Sequence, residues 1–140
     1  MVPPSQTPFS VESRPNTILV VEDEMLVRLA ISDYLRECGF RVQEAANAEE
    51  AIQILCGSDE PIDLVFSDIE MPGELDGFGL ARWVHANKPQ VRVLLTSGHA
   101  HSAELAADLC ESTMLLPKPY QYSSVLDTIK QFVARPPARP

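Results

Sequence analysis

Apolar residues are laid out along this chain in two alternating patterns. Nearly unbroken runs at 17–21, 63–67, 91–96 and about 114–116 read as strands, with a further strand at about 40–45, and an apolar run such as 64–66 belongs to a strand covered on both faces. Between them apolar residues recur every three or four positions, which predicts helices. The first helix ends near Cys38, with Val27, Ala30, Ile31, Tyr34 and Cys38 expected on its buried face and Gly39 as its stop. The second opens at Asn47, pairs that cap with Glu50, carries Ala51, Ile52 and Leu55, and stops at Gly57. The third covers about 77–86, with Phe78, Ala81 and either Trp83 or Val84 inward, and Lys88-Pro89 ends it. A fourth at about 102–110 and a fifth at about 122–134 follow, the last with Val125, Leu126, Ile129 and Val133 on one side.

Five strands separated by helices of this length imply βαβ units and a parallel sheet with helices on both faces. The count fits an α/β doubly wound five-stranded sheet in the order 2-1-3-4-5. Residues 1–15 read as a flexible leader, 16–134 as one domain, and 135–140 as a Pro-rich tail that cannot be helical. In this order strands one and three are neighbours, and a crevice opens at their carboxyl ends.

Composition narrows the class of partner. With 11 Lys and Arg against 20 Asp and Glu, the net charge of −9 argues against nucleic acid or an anionic membrane and suits a cation or a basic protein surface. No apolar run is long enough to span a bilayer and no signal-peptide core is present, so a cytoplasmic address is expected. Cys38, Cys56 and Cys110 form no C-x-x-C pair and read as small buried apolar residues.

The candidate chemistry lies at the strand ends. The third strand runs into Asp68, and Pro72-Gly73 then turns the chain. Alone, Asp68 would serve equally well as a turn cap, and Glu22 and Asp23 as favourable charges at the first helix's N-terminus. Together the topology makes them neighbours, and three crowded carboxylates need a cation to offset them. An all-oxygen donor set points to Mg²⁺. Asp23 and Asp68 are the candidate ligands, with the backbone carbonyl of Glu70 as a third and Glu22 holding a metal-bound water. A hydroxyl after the fourth strand, Thr96 or Ser97, and the ammonium of Lys118 after the fifth would flank Asp68. Carboxylate, Mg²⁺, hydroxyl and lysine are together what a transferred phosphoryl group requires.

With those motifs in view, the chain resembles a response-regulator receiver domain of two-component signalling, of the stand-alone single-domain type. The matching residues are Val20-Val21-Glu22-Asp23-Glu24, Asp68-Ile69-Glu70-Met71-Pro72-Gly73 with Asp76-Gly77, Leu95-Thr96-Ser97-Gly98, and Lys118-Pro119-Tyr120. The resemblance implies a flavodoxin-like (βα)5 fold and a phosphorelay role. It implies that Asp68 accepts a phosphoryl group from a histidine kinase or a histidine phosphotransfer protein. It further implies Mg²⁺ at Glu22, Asp23 and Asp68, a switch hydroxyl at Ser97, a phosphate contact at Lys118 and a cis bond before Pro119. Such a domain is a phosphoacceptor with slow self-dephosphorylation at most, not an enzyme.

The chain departs from the family pattern in three places. Glu22 stands where many members have Asp. The turn after Asp68 is one residue longer than the commonest form. Leu115 occupies the position of the usual aromatic switch, so phosphorylation is expected to reshape the surface from the fourth helix to the fifth strand less, or differently, than in aromatic-switch members. Only six residues follow the last helix, so the signal is expected to leave by protein–protein contact or onward phosphotransfer. Met25 and Leu29, opposite the expected buried stripe, are candidates for docking a kinase's helical hairpin. His99, two residues past Ser97, is a candidate modulator of the hydrolysing water, as is Glu70.

Three alternatives compete. A flavodoxin-type binding module would need a phosphate-cradling loop after strand one, where this chain has Glu22-Asp23-Glu24. A Mg²⁺-dependent phosphatase-like enzyme would use Glu70 as general acid and would need a cap domain. A phosphorylation-independent scaffold receiver would not need the polar groups that are present.

Overall fold

The computed structural model describes residues 15–57, 60–98 and 113–134. In chain order these form β1 (Thr17–Val21), α1 (Met25–Glu37), β2 (Arg41–Ala45), α2 (Ala48–Gly57), β3 (Leu64–Asp68), α3 (Gly77–Asn87), β4 (Arg92–Ser97), β5 (Thr113–Pro117) and α4 (Tyr122–Ala134). The strands pair in parallel in the order β2-β1-β3-β4-β5, as the apolar pattern predicts. The helix expected at 102–110, the leader up to residue 14 and the tail from 135 lie outside the described residues.

Side chains on the central strands β1, β3 and β4, buried along their length, alternate between two cores, which is why these runs are largely apolar. Leu19, Val21, Val65, Val93 and Leu95 face α2 and α3. Ile18, Val20, Leu64, Phe66 and Leu94 face α1 and α4, where Ile31, Leu35, Val125, Ile129 and Phe132 close over them. On α3 the inward residue is Val84, and Trp83 is half-buried.

The caps follow the sequence. Asn47 Oδ1 accepts from the Glu50 N–H at 2.8 Å, and Glu50 Oε1 accepts in return from the Ala46 N–H. Gly39, with φ +102°, ends α1: its N–H bonds Arg36 O and the Phe40 N–H bonds Leu35 O, a Schellman closure that needs a left-handed residue at this point.

Two expectations are corrected. The buried stripe of α1 is Ile31, Ser32 and Leu35, while Val27 is 41% exposed and Ala30 is also exposed. The helix is rotated because Arg28, not an apolar residue, takes the inward position one turn before Ile31, and its polar partners make that burial tolerable. Cys56 is exposed at the end of α2 and Cys38 is half-buried, so neither is a core residue.

Candidate functional site

In a parallel sheet every strand delivers its carboxyl end to the same edge, and that edge gathers the polar residues here. Asp68 is the last residue of β3 and sits opposite Thr96 of β4; Ser97, the last of β4, sits opposite Pro117. Glu22 and Asp23 leave the end of β1, and Lys118 leaves the end of β5. Asp68 and Ser97 belong to the strands, each one residue beyond the end expected from the sequence. The sheet therefore fixes their backbones directly.

Carboxylate oxygens of Glu22, Asp23 and Asp68 lie within 4.8 Å of one another, with Glu22 and Asp68 buried and Asp23 exposed. Lys118 Nζ donates to Asp68 Oδ2 at 3.0 Å, and the Glu70 N–H donates to Asp68 Oδ1 at 3.2 Å. Ser97 Oγ donates to Glu70 Oε2 at 2.6 Å. Thr96 is buried, and its Oγ1 has no hydrogen-bond partner among the described residues, so of the two Ser97 is the hydroxyl that engages the polar groups of this edge. The Lys118–Pro119 bond is cis.

Charge is poorly balanced. Burial pushes the Glu22 carboxyl up to about 7, aided by the charge of Asp68 and a bond with Asp23, and opposed by the Glu24 N–H and by Lys118. Burial also raises Asp68, outweighing the Lys118 bond and the Glu70 N–H. Burial alone would lower the Lys118 ammonium, but its bond to Asp68 and the charges of Asp68, Glu22 and Glu70 hold it above its ordinary value. One lysine is thus too little positive charge for three carboxylates. All three donors are hard oxygens, and the set fits a small divalent cation such as Mg²⁺.

The loop that follows Asp68 is held by close contact. The Gly77 N–H donates to Ile69 O at 2.9 Å, and a Cβ on Gly77 would stand 2.6 Å from both Asp68 O and Ile69 Cα. Asp76 caps α3 by accepting from the Gly79 N–H at 2.9 Å. Asp76-Gly77 therefore seats the start of α3 against the Asp68 backbone. Beneath the site, Tyr120 packs edge-on to Phe66, and burial pushes its phenol up to about 12.

The other candidates are spread more widely. Met25 and Leu29 are exposed on α1, and Leu26, at 74%, is more exposed than either. Leu115 is half-buried on β5 and packs toward α2 and α3. His99 lies outside the described residues. Sequence reasoning missed Arg28, whose Nη1 donates to Glu22 O at 2.8 Å. The available signal was a basic residue at a helical spacing of three and four from Ile31 and Ser32.

Among known proteins, residues 18–130 match the response regulator receiver domain. The chain is 34% identical over 122 residues to the sensor kinase CckA of Brucella abortus, covering 85% of this chain and 13% of that protein. It thus spans a small part of that relative's length. The solved receiver domain from the hybrid histidine kinase CckA superposes with a TM-score of 0.71 at 33% identity, covering 84% of this chain and 99% of that one. The response regulator TrrA of Thermotoga maritima, solved in complex with Mg²⁺ and BeF, superposes with a TM-score of 0.73 at 26% identity, covering 84% and 98%. A parallel sheet in the order 2-1-3-4-5, an acidic cluster at its carboxyl edge and a family match across most of the length lead to one assignment: the chain belongs to the response regulator receiver domain family.

Proposed function

We propose that Asp68 is the phosphoacceptor of this receiver and that Glu22, Asp23 and Asp68, with the Glu70 backbone carbonyl, hold Mg²⁺ beside it. The supporting observation is the direct Lys118–Asp68 bond inside a cluster of three carboxylates at the sheet edge. Bound there, the cation would offset negative charge on the phosphoryl oxygens. An Asp68 carboxylate oxygen attacks phosphorus of a phosphohistidine on the donor protein. The P–N bond breaks as the O–P bond forms, and the released imidazole takes up a proton from solvent. Lys118 shifts from the free carboxylate to a phosphoryl oxygen, keeping an ammonium beside the new charge. Ser97 exchanges Glu70 for a phosphoryl oxygen, and this exchange, rather than an aromatic flip at Leu115, carries the change toward β5.

The donor is a histidine kinase or a histidine phosphotransfer protein whose helical hairpin docks on Met25 and Leu29, with Leu26 between them. These exposed residues on α1 follow directly from the loop that bears Glu22 and Asp23. The phosphoryl group leaves by slow self-hydrolysis, with His99 and Glu70 as modulators, or by onward transfer. A phosphoester hydrolase would use Glu70 as general acid, whereas here Ser97 donates to that carboxylate.

Titration with beryllofluoride, followed by NMR of the Ser97 and Lys118 amides, tests this reading. Saturable shifts that require both Mg²⁺ and an intact Asp68 are expected. Binding without Mg²⁺, or equal binding by Asp68→Asn, would overturn it.

A further inference from the structure

Arg28 lies on the inward side of α1 and its side chain is only 17% exposed. A charge that deep must be fully used to be tolerated. Nη1 donates to the backbone carbonyl of Glu22 at 2.8 Å, and Nε donates to Glu44 Oε1 at 3.2 Å. Glu44 is itself held on β2 by Arg36, whose Nη2 donates to Glu44 Oε2 at 3.0 Å and to Val42 O at 3.2 Å. The Glu22 N–H, in turn, donates to Ala45 O at 3.0 Å. The first residue of the acidic loop is thus gripped on both sides of its backbone, once by β2 and once by a guanidinium braced against β2.

We propose that Arg28 is a positioning residue for cation binding: it fixes the Glu22-Asp23 backbone so that both carboxylates meet Asp68. The inference rests on reading the acidic cluster as a Mg²⁺ site. A planar fork suits the role because it bonds a carbonyl and a carboxylate at once and holds the angle between them. Partners of this kind orient ligands without touching the ion.

The charge of Arg28 makes the proposal sharply testable. If the guanidinium acted only as a nearby positive charge, it would repel Mg²⁺, and neutralising it would tighten binding. Acting by position, it must weaken binding when lost. Calorimetric titration of the full chain with Mg²⁺ alone separates the two. Arg28→Gln is expected to weaken Mg²⁺ binding about tenfold or more. Arg28→Lys keeps the charge but loses the fork; it is expected to bind more weakly than wild type, whereas a pure charge effect would leave it unchanged. This variant also decides the matter if Arg28→Gln does not fold. Arg36→Gln, which breaks the outer half of the network and leaves the Glu22 carbonyl alone, is expected to lower the melting temperature without changing Mg²⁺ affinity. Unchanged or tighter binding in the Arg28 variants, or equal weakening in Arg36→Gln, would overturn the positioning role while leaving the cation site intact. Absence of Mg²⁺ binding by the wild type would overturn the site and this inference together.

Discussion

Ser97 Oγ donates to Glu70 Oε2 at 2.6 Å, across the gap between the end of β4 and the loop that leaves β3. The acceptor lies two residues beyond Asp68, and its own N–H bonds the Asp68 carboxylate. The hydroxyl is therefore engaged by a neighbour before any phosphoryl group arrives. A hydrogen bond to a charged acceptor contributes about 1.5–3 kcal/mol, so if Ser97 takes up the proposed phosphoryl contact, competition from Glu70 should change phosphoryl affinity by about tenfold or more. Glu70→Ala should bind beryllofluoride more tightly than wild type. Glu70→Gln, which keeps an acceptor for Ser97 but loses the charge, should gain less. Equal gains in the two variants would show that charge repulsion, not the Ser97 bond, sets the affinity.

Gly77 has no room for a side chain. An added Cβ would meet Asp68 O and Ile69 Cα, both backbone atoms, at 2.6 Å. Gly77→Ala should therefore cost about 2 kcal/mol or more in urea unfolding, because the contact cannot be relieved by a rotamer change. A loss below about 0.5 kcal/mol, the range of innocuous surface changes, would mean that the loop after Asp68 is free to shift.

If Glu22 helps to hold the proposed cation, proton and metal compete for its carboxylate. Its folded-state carboxyl, at about 7, stands above the ordinary 4.5. The fold then gains from protonation: that contribution is fully present below the ordinary value and is lost as pH rises through about 7. Mg²⁺ needs the deprotonated form, so its affinity should rise with pH up to about 7, by at most about tenfold per pH unit for one displaced proton, and then level off. The gain in melting temperature on adding Mg²⁺ should likewise be larger at pH 8 than at pH 6. An affinity that does not vary across this interval would contradict the assignment of Glu22 to the site.

The docking role proposed for Met25 and Leu29 can be tested apart from the chemistry. Met25→Glu with Leu29→Glu should cut transfer from a phosphorylated kinase about tenfold or more, as loss of apolar anchors at an interface does. Both side chains are exposed, so the melting temperature should hold. Labelling by a small phosphodonor needs no docking surface and should be unaffected. An equal loss with the small donor would place the effect at Asp68 rather than at the interface.

Much of this site was legible in the sequence because its ingredients are punctuated. Asp68, Ser97 and Lys118 each close an apolar run, and a parallel sheet sends such endings to one edge. The face of α1 was misread because the rule that finds inward positions looks for apolar residues. Arg28 and Ser32 lie inward, and Arg28 becomes tolerable there only through a carbonyl of Glu22 and a carboxylate on β2, partners that pattern reading along one helix does not supply. The bond between Ser97 and Glu70 was equally hidden, since it joins the end of β4 to the loop after β3, 27 positions away. The role of Gly77 depends on how closely α3 approaches β3, a distance set by tertiary packing.

Transfer of phosphate to one carboxylate is the direct test. The wild-type chain and Asp68→Asn would be incubated with a phosphorylated histidine kinase in Mg²⁺ and in chelator, and the labelled residue located by mass spectrometry. The wild type should acquire a single acid-stable, base-labile phosphoryl group on Asp68 in Mg²⁺ alone, and the Asn variant none. Labelling of Asp68→Asn at the wild-type rate, or of the wild type equally well in chelator, would contradict the account.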